Sequence, residues 1–303
     1  MGMLPDLVAH ADWGSAPRKR VVAVARRSAA GYEIVALSAA GGADLVATLR
    51  RRYRPVQAVL GFDFPIGLPR AYARAAGVTS FREFLGQLGA PPWEEFGSVA
   101  TRPDEISLRR PFYPARPGGT RRAHLTTGLG LTERELRRRC DGTDAETLFW
   151  TLGGKQAGKA ALHGWQMLRC ARAGGADIAL WPFEGPLLGR PGCTVAETYP
   201  RELYQYFGVP RGRWSKRRQA DRLTCVPALL AWADGLGVGW DDAVRDRVSA
   251  GCSAGPAGED EFDAIAGVLG MIAVVTGVIA PGVPADDPDV TATEGWILGR
   301  RAG

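Results

Sequence analysis

Histidine and paired cysteine are scarce in this chain, and their scarcity argues against several kinds of site. The 303-residue sequence has three histidines, His10, His124 and His163, and they do not have the spacing of metal ligands. A histidine metal centre and a Ser-His-Asp triad therefore have no support. The five cysteines lie far apart without a Cys-x-x-Cys pair, so neither a zinc site nor a redox couple is expected.

Signals for secretion and for the membrane are also lacking. The first residues do not form the charged and apolar regions of a secretory signal, so we expect a cytoplasmic protein with reduced thiols. Residues 264–280 are uncharged and apolar, but they contain three glycines and are followed by Pro281. We expect a helix buried against a sheet, and no membrane partner.

The composition that remains is that of a globular protein with a basic balance. Hydrophobic residues make up 46% of the chain and charged residues 23%. The formal net charge is +6, which favours polyanionic partners such as nucleic acid without requiring them. The sequence predicts no particular protein partner.

The order of apolar segments predicts an α/β fold. The first part of the chain has a short apolar run at 8–11, a strand pair at 20–25 and 31–37, a helix at 42–53 and a buried strand at 56–62. Later segments predict a helix at 158–173, strands at 178–182 and 193–196, helices at 199–207 and 217–236, and an apolar helix after Asp260. Strands that alternate with helices favour a sheet flanked by helices.

A region rich in proline, glycine and arginine interrupts this pattern at about residues 72–148. It predicts an insertion outside the sheet, with a helix at 132–139. We therefore expect one domain at 5–285, including the insertion, and an irregular tail at 286–303.

Two aspartates stand where apolar runs end. Asp12 ends the first predicted strand, and Asp63 ends a buried strand and is followed by Phe-Pro-Ile-Gly-Leu-Pro. Ligands of α/β sheets bind at the carboxyl ends of strands, so both acids could share one cation if their strands are neighbours. Alternatively, either acid only caps the following turn.

Three further acids belong to the same hypothesis. Glu197 follows a short strand and is a candidate metal ligand, general base or helix-entry residue. Asp260 and Asp263 are three residues apart and share a helix face, where the helix dipole alone could account for Asp260. Asp263 directly precedes the apolar run, and a buried acid needs a partner or a metal.

Basic residues supply candidate phosphate contacts. The segment 153–160 nearly matches a Walker A loop, but Ala160 stands where the magnesium-binding Ser or Thr is required. Lys155 and Lys159 remain phosphate-binding candidates, together with Arg201 and Lys216. The arginine-rich stretches 109–122 and 211–222 contain aromatic residues and suit nucleic-acid binding, although a solvated charged face is the commoner explanation.

Four short motifs, taken in order, resemble the domain-of-unknown-function 429 family. They are Ala-Asp-Trp at Asp12, Gly-Phe-Asp-Phe-Pro-Ile-Gly-Leu-Pro at Asp63, Glu-Thr-Tyr-Pro at Glu197 and Asp-Glu-Phe-Asp-Ala at Asp263. That family is one of predicted nucleases with an RNase H-like fold. The resemblance implies a mixed sheet with Asp12 on its first strand and Asp63 on its fourth, and a closing helix with Asp260 and Asp263. This arrangement is similar to that of Holliday-junction resolvases, which bind two magnesium ions.

The leading hypothesis is a nuclease that depends on two Mg²⁺ or Mn²⁺ ions and hydrolyses phosphodiester bonds of nucleic acid. Its predicted catalytic residues are Asp12, Asp63, Glu197 and Asp263, and its predicted metal ligands are Asp12, Asp63, Asp260 and Asp263. Because Asp12-Trp13-Gly14-Ser15 also resembles the first phosphate loop of actin-like ATPases and sugar kinases, a nucleotide-dependent phosphotransferase is the first alternative. The second is a non-catalytic RNase H-like module that binds nucleic acid or protein.

Overall fold

A seven-stranded mixed sheet forms the centre of the protein. The computed structural model describes residues 3–42, 44–142, 145–153, 157–210 and 212–302. The strands are β1 (Leu7–Trp13), β2 (Arg20–Ser28), β3 (Gly31–Ala39), β4 (Gln57–Phe62), β5 (Ile178–Leu180), β6 (Gly192–Glu197) and β7 (Gly239–Trp240). Their order across the sheet is β5-β6-β4-β1-β2-β3-β7.

Helices cover both faces of this sheet, as predicted for an α/β fold. The α-helices are α1 (Leu45–Tyr53), α2 (Arg70–Ala76), α3 (Phe81–Gln87), α4 (Ala123–Leu129), α5 (Ala157–Ala173), α6 (Pro200–Leu203), α7 (Gln219–Gly235), α8 (Asp242–Ser249) and α9 (Gly255–Val275). Short 3-10 helices span Pro17–Lys19, Pro103–Glu105 and Tyr204–Phe207, and a π-helix spans Val290–Glu294. Helices α1 and α5 share one core cluster with the insertion, whereas α7, α8 and α9 pack in the other.

The strand register brings three carboxyl ends together. Strand β2 is antiparallel to β1 and β3, while β4 is parallel to both β1 and β6. Ala11 pairs with Phe62, and Phe62 pairs with Glu197. The ends of β1, β4 and β6 therefore lie side by side at one edge of the sheet.

Helix α9 lies directly on the face of β1 and β4, and small residues allow this close approach. A Cβ atom at Gly267 would overlap the His10 ring, and one at Gly61 would overlap Met271 and Thr198. Residues 261–275 of α9 are buried, as expected for the apolar run. Among the described residues, no helix is long and apolar enough to span a membrane.

Two local predictions were wrong. The helix predicted at 132–139 is a series of turns in which Thr132 and Glu135 bond to each other. Helix α9 starts at Gly255, five residues before Asp260, with Pro256 in its first turn. Because dipole stabilisation fades beyond the first turn, it no longer explains an acid at position 260.

The insertion and the tail differ in how they pack. The described residues of 72–148 contribute no strand to the sheet and instead carry α3, α4 and a cluster of buried aromatic rings around Phe96. The tail is ordered against the edge of the sheet, because Ile297 forms a β-bridge with Glu197 and Trp296 is buried.

Candidate functional site

Four aspartates converge where α9 passes the ends of β1 and β4. Side chains alternate along a strand, so Asp12 shares the α9 face with Val8, while Ala11 and Trp13 face the other core. Asp63 follows β4 and accepts a 2.6 Å hydrogen bond from the Trp13 amide at its Oδ1 atom. The strands supply two of the acids, and α9 supplies Asp260 and Asp263.

The Asp12 carboxyl group is the centre of this cluster. It lies within hydrogen-bonding reach of both Asp63 and Asp260, and its residue is only 8% exposed. Burial, followed by the charges of Asp63 and Asp263, raises the pKa of Asp12 well above its ordinary value. Carboxyl groups in contact repel one another when ionised, so a shared proton or a cation between them would stabilise this arrangement.

Asp260 belongs to the same group. Burial and the nearby Glu259 raise its pKa to about 6, although contact with the Asp12 carboxyl partly opposes this rise. Apart from the contacts among the carboxyl groups themselves, no group in the described part of the chain donates a hydrogen bond to Asp12 or Asp260. Their oxygens are therefore available to a ligand.

Asp263 is different because both of its carboxylate oxygens are occupied. Tyr204 donates to Oδ1, and the Lys216 ammonium group contacts Oδ2. Burial raises the pKa of Asp263, and the charge of Lys216 offsets part of that rise. Burial alone would lower the pKa of Lys216, but Asp263 outweighs it and raises that pKa, so the lysine stays charged.

Lys216 also contacts a second acid, and a buried arginine fixes the position of its backbone. Its Nζ lies 3.3 Å from Glu259 Oε1. The fully buried Arg222 donates to the Lys216 carbonyl and to the carbonyls of Gly251 and Ser253, the last two at 2.8 and 2.6 Å. The backbone that carries this lysine is thus fixed to the loop before α9.

Glu197, a predicted catalytic residue, does not join the cluster. Alternation along β6 places it on the face of Val195, opposite α9. Both of its oxygens accept 2.6 Å hydrogen bonds from Arg138, and Oε2 also accepts one from the Ile66 amide at 2.7 Å. Arg138 is buried and is paired on its other side with Asp141 at 2.8 Å. This geometry gives Glu197 a structural role.

The predicted phosphate-binding residues are dispersed. Lys155 lies outside the described residues, so the glycine-rich segment around it carries no structural argument. Lys159 is half-buried in the first turn of α5, near His163, and Arg201 is exposed on α6. Of the three candidates that the structure describes, only Lys216 lies at the aspartates.

Several arginines of the basic stretches have internal partners. Arg109 stacks 3.8 Å above the Trp93 ring, and Arg122 makes two hydrogen bonds with Glu146, the closer at 2.5 Å. Arg218 pairs with Asp221 at 2.5 Å, and Arg222 is buried. These arginines are committed to the fold, which leaves a smaller basic surface than the sequence suggests.

Sequence reasoning missed Tyr204, Arg138 and the buried His10. His10 lies on the α9 face two residues before Asp12, and its Nε2 is 2.8 Å from Thr198 Oγ1. Burial lowers the pKa of His10 to about 4, so it is neutral. Its place in an otherwise apolar run, on the same strand face as Val8 and Asp12, was the available signal. Tyr204 and Arg138 had no comparable signal in the sequence.

The oxygen atoms of the cluster are of the kind that a hard divalent cation prefers, but they are not arranged around a common point. Uncommitted oxygens belong to Asp12 and Asp260 and to one side of Asp63, and Mg²⁺ and Mn²⁺ prefer such ligands. However, nowhere in the described ranges do three or more His, Cys, Asp or Glu side chains form an arrangement ready to hold a metal. A cation would have to draw these carboxylates together.

Comparisons of the chain with protein families, with curated proteins and with solved structures gave no match. The resemblance to the domain-of-unknown-function 429 family therefore stays a prediction.

Proposed function

We propose that the protein is an RNase H-like nuclease that depends on a divalent cation, Mg²⁺ or Mn²⁺. The placement of the acids supports the fold assignment, because the first strand carries Asp12, the fourth strand is followed by Asp63, and α9 carries Asp260 and Asp263. Strands β1, β2 and β3 form an antiparallel meander that continues into the parallel strands β4 and β6.

The observation that carries the proposal is the contact of the Asp12 carboxyl group with those of Asp63 and Asp260. A carboxylate buried without a hydrogen-bond donor is costly, and a fold retains it where a bound cation supplies the missing charge. When bound, such an ion activates water and polarises a phosphoryl oxygen. Asp12, Asp63 and Asp260 are the residues that would hold it.

The surroundings of the cluster suit a phosphate backbone. Lys19 is exposed and close enough to lower the pKa of Asp260, although burial dominates that pKa. Arg217 has a side chain that is 76% exposed and lies 3.5 Å from Glu259. Two mobile cationic side chains beside a carboxylate site favour a polyanionic substrate, in keeping with the net charge of +6.

The test is a cleavage assay on DNA and RNA with Mg²⁺ or Mn²⁺. The wild type should cut at least one of them and EDTA should stop it, whereas Asp63→Asn should lose more than about 100-fold in rate because it removes a candidate ligand. The matched control is Asp246→Asn, which changes an exposed acid on α8 and should retain activity.

Three outcomes would overturn the nuclease proposal. Activity that persists in Asp63→Asn would show that the carboxylates are not the site. A Mg²⁺-dependent thermal shift with ATP, without cleavage, would favour a phosphotransferase instead. Salt-dependent nucleic-acid binding that is unchanged by EDTA, without cleavage, would favour a non-catalytic module.

A further inference from the structure

The Lys216 ammonium group contacts Asp263, one of the four acids predicted as metal ligands, and also reaches Glu259. Resting on the function proposed above, we propose that the site binds a single divalent cation, held by Asp12, Asp63 and Asp260, and that the Lys216 ammonium group replaces the second ion at Asp263. This differs from the two-ion site that the family resemblance implies.

The distribution of oxygens supports one cation. Tyr204 donates to one oxygen of Asp263 and the Lys216 ammonium group contacts the other, so this carboxylate already has a positive charge beside it that disfavours a second cation. The opposite holds for Asp12, which is more than nine-tenths buried and receives no hydrogen bond from any described donor outside the carboxyl groups of the cluster. The cluster is therefore divided into a neutralised half at Asp263 and an unsatisfied half at Asp12.

The lysine is built into its position. Its carbonyl accepts a bond from the buried Arg222, and Trp214, two residues before it, donates its indole N–H to the Asp221 carbonyl at 2.7 Å. The chain has only four lysines among 38 basic residues. An ammonium group is a compact point charge and can occupy a cation-sized space between carboxylates.

The net charge of the cluster also favours one divalent ion. Five carboxylates, namely those of Asp12, Asp63, Asp260, Asp263 and Glu259, meet three cationic side chains, Lys19, Lys216 and Arg217, which leaves a net charge of −2 when all are ionised. One divalent ion reduces this to zero. A second would make the site positive while also having to displace Lys216 from a buried pair.

Manganese binding tests the proposal without relying on activity. Titration calorimetry should give one Mn²⁺ per wild-type chain, and electron paramagnetic resonance should show an isolated ion. Lys216→Met should bind two ions with the spectrum of a coupled pair, since bridged ions lie roughly 4 Å apart. Lys216→Arg keeps the positive charge and should stay at one ion. Arg245→Met, which removes an exposed charge on α8, is the control and should also bind one.

A thermal melt of every variant confirms that it is folded. Each metal-binding result then supports or overturns the single-ion proposal. A coupled pair in the wild type would overturn the single-ion proposal while leaving the metal-dependent function intact. One ion in a folded Lys216→Met would show that the lysine does not replace a metal. Absence of any bound Mn²⁺ in the wild type would overturn this proposal and the proposed function together.

Discussion

The substitution Glu197→Gln tests whether this residue stabilises the fold or binds the metal. The substitution preserves size but removes the charge that faces the buried Arg138, whose side chain is 1% exposed. Breaking a buried ion pair from one side costs about 3–5 kcal/mol. Asp141 stays on the other side of Arg138 at 2.8 Å, so we expect the lower end, about 3 kcal/mol.

Urea unfolding followed by tryptophan fluorescence measures this loss. For a chain of 303 residues, about 3 kcal/mol corresponds to a melting temperature lower by roughly 5 °C. Mn²⁺ affinity should remain within about threefold of the wild type, because Glu197 lies on the opposite face of the sheet from Asp12. The control Glu94→Gln changes an exposed acid and should alter neither quantity.

The reasoning would be refuted by unchanged stability combined with lost Mn²⁺ binding. That result would mean that Glu197 leaves Arg138 and ligates the metal, as the sequence motif suggested.

Two further predictions concern the cluster and the helix behind it. Asp260→Asn should stabilise the metal-free protein by about 1 kcal/mol at pH 7.5, since a carboxyl whose folded pKa is about 6 is destabilising when ionised and is partly screened by solvent. The gain should nearly vanish in urea titrations at about pH 3, where the group is largely protonated in both the folded and the unfolded state. An equal gain at both pH values would contradict a raised pKa. Gly267→Ala should cost about 1–3 kcal/mol because its Cβ would overlap the His10 ring, whereas Gly86→Ala, open to solvent in α3, should be neutral or stabilising. Equal unfolding midpoints for these two alanine variants would refute the close contact of α9 with β1.

The convergence of Asp12 and Asp63 was predictable from the sequence. Each follows an apolar run, and parallel neighbouring strands bring such positions to the same edge of a sheet. The proximity of α9 was also foreseeable, because its long apolar run had to be buried. The pattern of apolar residues did not show that α9 begins at Gly255. Pro256, in the first turn, was the available signal.

The basic residues that pair with Asp263 and Glu197 could not be predicted from the sequence. The sequence favoured Asp263 as a ligand and left Asp260 in doubt, but Lys216 lies 47 residues before Asp263 and occupies it. Arg138 reaches Glu197 across 59 residues from within the insertion. Both contacts depend on how loops fold over the sheet edge, and residue periodicity carries no information about such long-range pairs.

Anomalous diffraction from crystals grown with Mn²⁺ tests the central claim most directly. We predict one anomalous peak bonded to carboxylate oxygens of Asp12, Asp63 and Asp260, with Lys216 still in contact with Asp263. Saturating Mn²⁺ that leaves no peak between these three side chains, with the Asp12 carboxyl still in contact with its two neighbours, would contradict it.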